Sequence, residues 1–297
     1  MVTKMTYNME NDRTKQEASR VYVLFYSFFL IPFMIAVFGA IFFLLFRFIT
    51  FETDDASELL NQVKIGSASK RWQSAFELSK VFNIPEKIPT DPSFKNQMVS
   101  AYNHSIHDDP LVRAYLALAM GVTRDEFYSD ALLTGLDDEN RESRLAAIQA
   151  IGMVGTKTAT TQLQELASKS DYSNERLAAT ISLGLIGDDE SIPLLQKLLD
   201  DEEPNIRWDS AIALAKMGDK SGAFIIADLL DRNYLNAFPQ VDEVEKNQAI
   251  MIAIKVSSQL KDDRFVTNLV ALAEFDVNLK IRDAAMKTLR TTYSVVI

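Results

Sequence analysis

The sequence predicts an all-α chain: an α-solenoid of about seven antiparallel helix pairs preceded by one transmembrane helix. Three observations point there. The segment Arg71–Lys80, RWQSAFELSK, returns at Arg207–Lys216 as RWDSAIALAK. A phrase repeated at that separation marks stacked copies of one supersecondary unit, because a shared register preserves the same packing contacts. Between such segments lie second amphipathic stretches, and no stretch alternates convincingly with period two. Ahead of them all, residues 21–46 contain no charged side chain.

Taken in chain order, residues 1–20 read as a short polar tail carrying Lys4, Arg13, Lys15 and Arg20. Residues 21–46, VYVLFYSFFLIPFMIAVFGAIFFLLF, come next. As a helix this run spans about 39 Å, more than the ~30 Å hydrocarbon core of a bilayer, so it can cross with tilt. It exceeds the apolar core of a signal peptide and no small-x-small cleavage site comes after it, so an uncleaved anchor is expected. Pro32 is a site for a kink, and the lone Gly39 makes no dimer motif. Residues 47–56 form an acidic linker. Four bases precede the anchor, whereas the twenty residues after it carry only Arg47 and Lys64. The positive-inside rule then holds the amino terminus in the cytoplasm and exports the chain beyond the anchor.

Residues 57–297 hold the repeats. Basic residues open similar segments at Arg71, Arg113, Arg144, Arg176, Arg207, Lys246 and Arg282, with steps of 42, 31, 32, 31, 39 and 36 residues. Three positions on stands a small side chain (Ser74, Ala147, Ala179, Ser210, Ala249, Ala285; Leu116 is the exception), which lets neighbouring helices approach. Gly155, Gly187 and Gly218 fall where the apolar period stops, as left-handed helix caps do. Intervening stretches such as Ser191–Asp200 place apolar residues three to four apart, the helical period. Acidic and proline-bearing turns such as Asp108–Pro110 and Asp201–Pro204 join the two helices. The pairs fall near 57–82, 93–121, 125–153, 157–186, 189–218, 220–260 and 263–292. Helices ~8–10 Å apart would make a stack on the order of 60–70 Å long.

The runs DDPLVRAYLALAMG (108–121), RLAAIQAIGMVG (144–155) and NERLAATISLGLIGDDESIPLLQKLLDDEEPNIRWDSAIALAKMGD (174–219) resemble the HEAT-repeat family, in particular its bacterial HEAT-like repeats, akin to armadillo-like solenoids. The resemblance covers roughly four-fifths of the chain and fades in the first unit and around Asp231–Glu245. It is strong for the fold and nearly silent about activity; the extended curved faces of such a stack suit a membrane-anchored scaffold or accessory subunit that binds a protein partner near the bilayer, within a membrane complex for transport or the envelope. The anchor is expected in a bacterial cytoplasmic (inner) membrane as a single pass, with the solenoid extracytoplasmic by the positive-inside rule. Some HEAT-like proteins act as lyases that attach or detach bilin chromophores, which is the alternative class.

Residue chemistry narrows the field. The formal charge is −10, and −11 once the tail is set aside. Such a surface repels phosphate, so nucleic acid is not an expected partner, and the lipid bilayer is met only through residues 21–46. There is no cysteine, hence no disulfide and no thiol nucleophile. The recurring arginines read as a structural ladder onto the acidic turns, because they recur with the repeat rather than cluster. His104 and His107 beside Asp108 and Asp109 could approach one metal, yet they sit at a turn that is polar in every copy. No catalytic, cofactor-binding or metal-ligating residue is nominated, no cofactor is expected, and the chain is expected not to be an enzyme. Trp72 and Trp208 read as packing residues. The insertion 231–245, DRNYLNAFPQVDEVE, supplies the candidate partner contacts Tyr234, Phe238 and Pro239, residue types that add area at interfaces.

Overall fold

The computed structural model describes residues 26–49 and 55–296, with side chains at 28–46 and 55–296. The expected tail (1–20), the first residues of the expected anchor (21–25) and linker residues 50–54 lie outside the described residues. The chain divides into two units, residues 1–53 and 54–297.

The first unit presents helix α1, Ile31–Ile49, entered through a π-helical turn at Tyr26–Leu30. Pro32 lacks the N–H that would close the preceding turn, and a wider turn lies just where that bond is missing. The helix is long and apolar enough to cross a membrane over Phe28–Phe46. Its large side chains stand exposed, Phe28, Phe33 and Phe42 among them, so no protein core accounts for its composition.

In the second unit, caps written into the sequence set the helix boundaries. Asp55 accepts from the amides of Ser57 and Glu58 and starts α2, Ala56–Ile65, which pairs with α3, Ala68–Val81. Asp91 and Asp109 cap α4, Pro92–His104, and α5, Pro110–Thr123, each with proline in the first turn. Asn140 caps α7, Arg141–Val154, whose partner is the short α6, Ser129–Gly135. Then come α8, Thr160–Lys169, with α9, Ser173–Ile186, and α10, Ile192–Leu198, with α11, Pro204–Lys216. In the sixth pair α12, Ala223–Leu229, and α14, Glu243–Leu260, are separated by the small helix α13, Arg232–Asn236. The capping box of Asp242 and Glu245 starts α14. The last pair is α15, Val266–Phe275, with α16, Leu279–Thr292. No strand occurs among the described residues. At the ends of α7, α9 and α11, Gly155, Gly187 and Gly218 adopt φ of 84°, 64° and 81°, the left-handed turn that a Cβ disfavours.

Each second helix packs on its own first helix and on the second helices before and after it, so α3, α5, α7, α9, α11, α14 and α16 form one continuous layer. The residue seven places after each basic opener lies on this seam: Leu78, Met120, Ile151, Leu183, Leu214, Ala253 and Leu289 are all 0% exposed. Burying each large member contributes about 1.5–3 kcal/mol. The helices come close because their contact positions are small. A Cβ on Gly152 would lie 2.8 Å from the Cα of Ser182, and one on Gly184 would lie 2.5 Å from the Cβ of Ala213. This is the α-solenoid of seven helix pairs that the sequence predicts.

Candidate interaction face

Turns are tied to turns by arginines. Arg113 donates to the carbonyl of Tyr102 at 2.6 Å, at the end of its own first helix, and to Asp138 in the next turn at 2.6 Å. Arg144 repeats this with the carbonyl of Asp138 (2.6 Å) and Glu175 (2.7 Å). Arg71 bonds the carbonyl of Val63 and pairs with Asp108; Arg176 bonds the carbonyl of Ala167 and pairs with Asp201. Arg207 stays within its own turn, donating to the carbonyls of Asp201 and Glu202. Each guanidinium can serve two acceptors at once, which suits a bridge between units. At the sixth pair the bridge comes from Arg232 in the insertion, through two bonds to the fully buried Asp276 (2.7 and 2.9 Å), whereas Lys246 turns to Asn236 and Glu243.

The insertion also carries Tyr234, Phe238 and Pro239. Tyr234 and Phe238 are half-buried and Pro239 is exposed. The two rings meet each other and Trp208 edge to face, with centroids 5.0–6.3 Å apart, and the Trp208 indole N–H donates to the Tyr234 hydroxyl at 3.1 Å. The insertion is therefore folded onto α11 rather than extended from it.

The second-helix layer has an outer side, and over the central pairs it is apolar. Counting one, five and nine places from the basic opener, α7 presents Leu145, Gln149 and Met153, and α9 presents Leu177, Ile181 and Leu185. These six line a groove of about 480 Å³. Met153, Ile181 and Leu185 are 37%, 40% and 50% exposed. In the first two pairs the same side carries Phe76 against Tyr115, ring centroids 5.1 Å apart. Leu145, Leu177 and Tyr115 pack partly against the core, whereas Met153, Ile181 and Leu185 do not.

Asp209 interrupts this surface. It occupies in α11 the place that Ala178, a groove-lining residue, occupies in α9, two positions after the opening arginine. It has no hydrogen-bond partner among the described residues. Burial pushes its carboxyl up to about 6, against the opposing pull of Lys216. Asp262, by contrast, is held down to about 2 by its hydrogen bonds with Arg264.

The histidine turn has other uses. His104 Nδ1 lies 2.8 Å from the carbonyl of Ser100, Asp108 is taken by Arg71, and Asp109 caps α5. No group of three or more potential metal ligands assembles among the described residues. The apolar columns and Asp209 are functional candidates that motif reading passes over. Reading every repeat at fixed offsets from its basic residue would have found them, because only surface-facing offsets vary in character between copies.

The family model described as HEAT repeats matches residues 102–184 and 165–235, which lie in the centre of the solenoid. No curated protein matches this chain by sequence. Among solved structures, the complex of CpcE and CpcF of phycocyanin lyase from Nostoc sp. PCC7120 is similar at 16% identity and TM-score 0.55, covering 81% of this chain and 88% of that one. YibA of E. coli is similar at 18% identity and TM-score 0.48, covering 80% and 82%. Human deoxyhypusine hydroxylase in complex with glycerol is a looser match, at 14% identity and TM-score 0.35, covering 81% and 85%. The expectation that the chain is not an enzyme is corrected by the first of these. A lyase is built on this fold, so stacked helix pairs are compatible with catalysis, and the lack of familiar motifs in the sequence does not exclude it.

Proposed function

We propose that this chain is a membrane-tethered HEAT-repeat module that captures a protein partner beside the bilayer, either as a scaffold or as a subunit of a larger enzyme. The observation that carries the reading is the apolar side of the second-helix layer. Large side chains left 37–50% exposed on a unit whose core is already closed represent apolar area kept available for contact. The CpcE–CpcF complex, an assembly of protein subunits on a similar fold, is consistent with that use. Tyr234, Phe238 and Pro239 are proposed as the flank of this surface. The apolar helix within residues 21–46 is proposed as a single-pass anchor in a bacterial inner membrane, with the solenoid outside the cytoplasm and the partner part of a transport or envelope complex. Tethering raises the local concentration of whatever the solenoid meets, so modest affinity suffices.

The test is crosslinking in cells followed by gentle detergent extraction, comparing the full chain with one ending at Asp54. A partner recovered with the full chain and lost with the truncation is expected. Equal recovery with the anchor alone would reject the solenoid as the binding element.

A further inference from the structure

Two features of the second-helix layer are unaccounted for by folding: the exposed Met153, Ile181 and Leu185 in the groove of α7 and α9, and, one helix further on, the carboxylate of Asp209, which has no hydrogen-bond partner among the described residues. Their chemistry differs, and together they describe an occupant. Leu177, Ile181 and Leu185 recur every four residues along one side of α9, which spans about 21 Å. That spacing matches apolar anchors placed at i, i+4 and i+7 on another helix laid along it. An all-apolar occupant would leave Asp209 without a partner in a drier setting, at a cost. A cation on the occupant removes that cost. The turns at the starts of α7, α9 and α11 add to the same field, with Asp137, Glu139, Asp171, Asp200 and Glu202 all exposed.

We propose that this surface seats a basic amphipathic helix of the partner protein, its apolar side chains on Leu177, Ile181 and Leu185 and a lysine or arginine on Asp209. The proposal rests on the partner-capture reading above and names the chemistry of what is captured. Asp209 supports it from a second direction. It is half-buried, has no hydrogen-bond partner among the described residues and feels only the attraction of Lys216, at the register position where Ala178 lines the groove on α9.

The test uses the full chain in nanodiscs of zwitterionic lipid and an 18-residue synthetic helix, leucine on one side and lysine on the other, bearing a photo-crosslinking side chain. A matched peptide with glutamate for lysine is the control, and empty nanodiscs set the baseline. Saturable crosslinks mapping to α9 and α11 are expected with the lysine peptide and not with the glutamate peptide. Half-saturation should rise roughly tenfold in Asp209→Asn and at least tenfold in the double variant Ile181→Gln, Leu185→Gln. Crosslinks elsewhere, equal labelling by both peptides, or unchanged half-saturation in the variants would each overturn the proposal. So would a disulfide formed between two copies of a Leu185→Cys chain without peptide binding, which would assign the surface to a second copy. If the cellular partner still crosslinks to the Ile181→Gln, Leu185→Gln chain, the groove is wrong while the tethered-module reading stands.

Discussion

At the scale of single residues, the energetics turn on which charges have partners. Arg113 and Asp138 are 5% and 6% exposed and bonded at 2.6 Å, and the guanidinium also lies 4.0 Å from the centre of the Tyr102 ring. Replacing Arg113 by alanine leaves Asp138 buried without its counter-charge, keeping only the hydrogen bond from the Asn140 amide, at a cost of about 3–5 kcal/mol. The exposed Arg264–Asp262 pair contributes well under about 1 kcal/mol by the same comparison. Thermal unfolding of the full chain in detergent should therefore separate Arg113→Ala from Arg264→Ala by many degrees. Near-equal melting would show that the ladder is ornamental to the fold. Asp209 gives the opposite sign. Its folded pKa, about 6, lies above the ordinary carboxylate value, so as pH falls from 7 towards 4 the native state takes up a proton before the unfolded chain does. Its contribution to stability therefore rises on acidification through that window. With allowance for its partial exposure, Asp209→Asn should stabilise the chain by about 1–2 kcal/mol at pH 7 and hardly at all at pH 4. Melting curves of both proteins at the two pH values would show the gap closing, and a gap that widened in acid would refute the sign.

Elements show how far local sequence carries. All seven helix pairs are legible before any coordinates, because amphipathic period, acidic caps and terminal glycines are local signals that agree with one another. Gly155, Gly187 and Gly218 fall at helix ends for the reason the sequence suggests. What is not legible is long-range. The insertion 231–245 announces itself by lengthening one step, but nothing local says that it forms a helix, folds over Trp208, or sends Arg232 to a carboxylate 44 residues away. Lys246 sits at the ladder position by register, yet Arg232 makes that bridge, since a planar fork spans two oxygens where an ammonium cannot. The candidate site divides in the same way. Tyr234, Phe238 and Pro239 are visible as interface-type residues, whereas Asp209 stands out only when the repeats are aligned at fixed offsets, where Ala146 and Ala178 hold the same place. Register also makes neighbouring positions energetically unlike. Leu183, on the seam, is fully buried; Leu185, two places on, is half exposed. Leu183→Ala should cost about 2–5 kcal/mol and Leu185→Ala almost nothing, as read by thermal unfolding. Comparable losses would mean that the assigned seam and groove are not distinct.

Across the whole molecule, charge decides orientation rather than fold. The twenty residues before the apolar segment carry four bases, and the next twenty after it carry two, within a chain of net charge −10. Short flanks are the part of a membrane protein on which the positive-inside rule acts, and acids weigh little in it. That asymmetry underlies the proposal that the amino terminus stays in the cytoplasm while the solenoid is exported. The chain contains no cysteine, so any thiol reagent reports only on a cysteine placed deliberately. Thr14→Cys marks the tail, and Glu165→Cys marks an exposed site on α8. A membrane-impermeant maleimide applied to intact spheroplasts should label Glu165→Cys at once and Thr14→Cys only after lysis. Reversed labelling would place the solenoid in the cytoplasm, and labelling of both before lysis would reject the spanning helix. A further change tests the cause. Replacing Lys4, Arg13, Lys15 and Arg20 by glutamine removes the bias and leaves Arg47 and Lys64 as the flanking bases, so a fraction of chains should invert and label at residue 14 in intact cells. If orientation persists unchanged, something other than flanking charge sets it, with translocation of the folded-state acidic domain the first place to look.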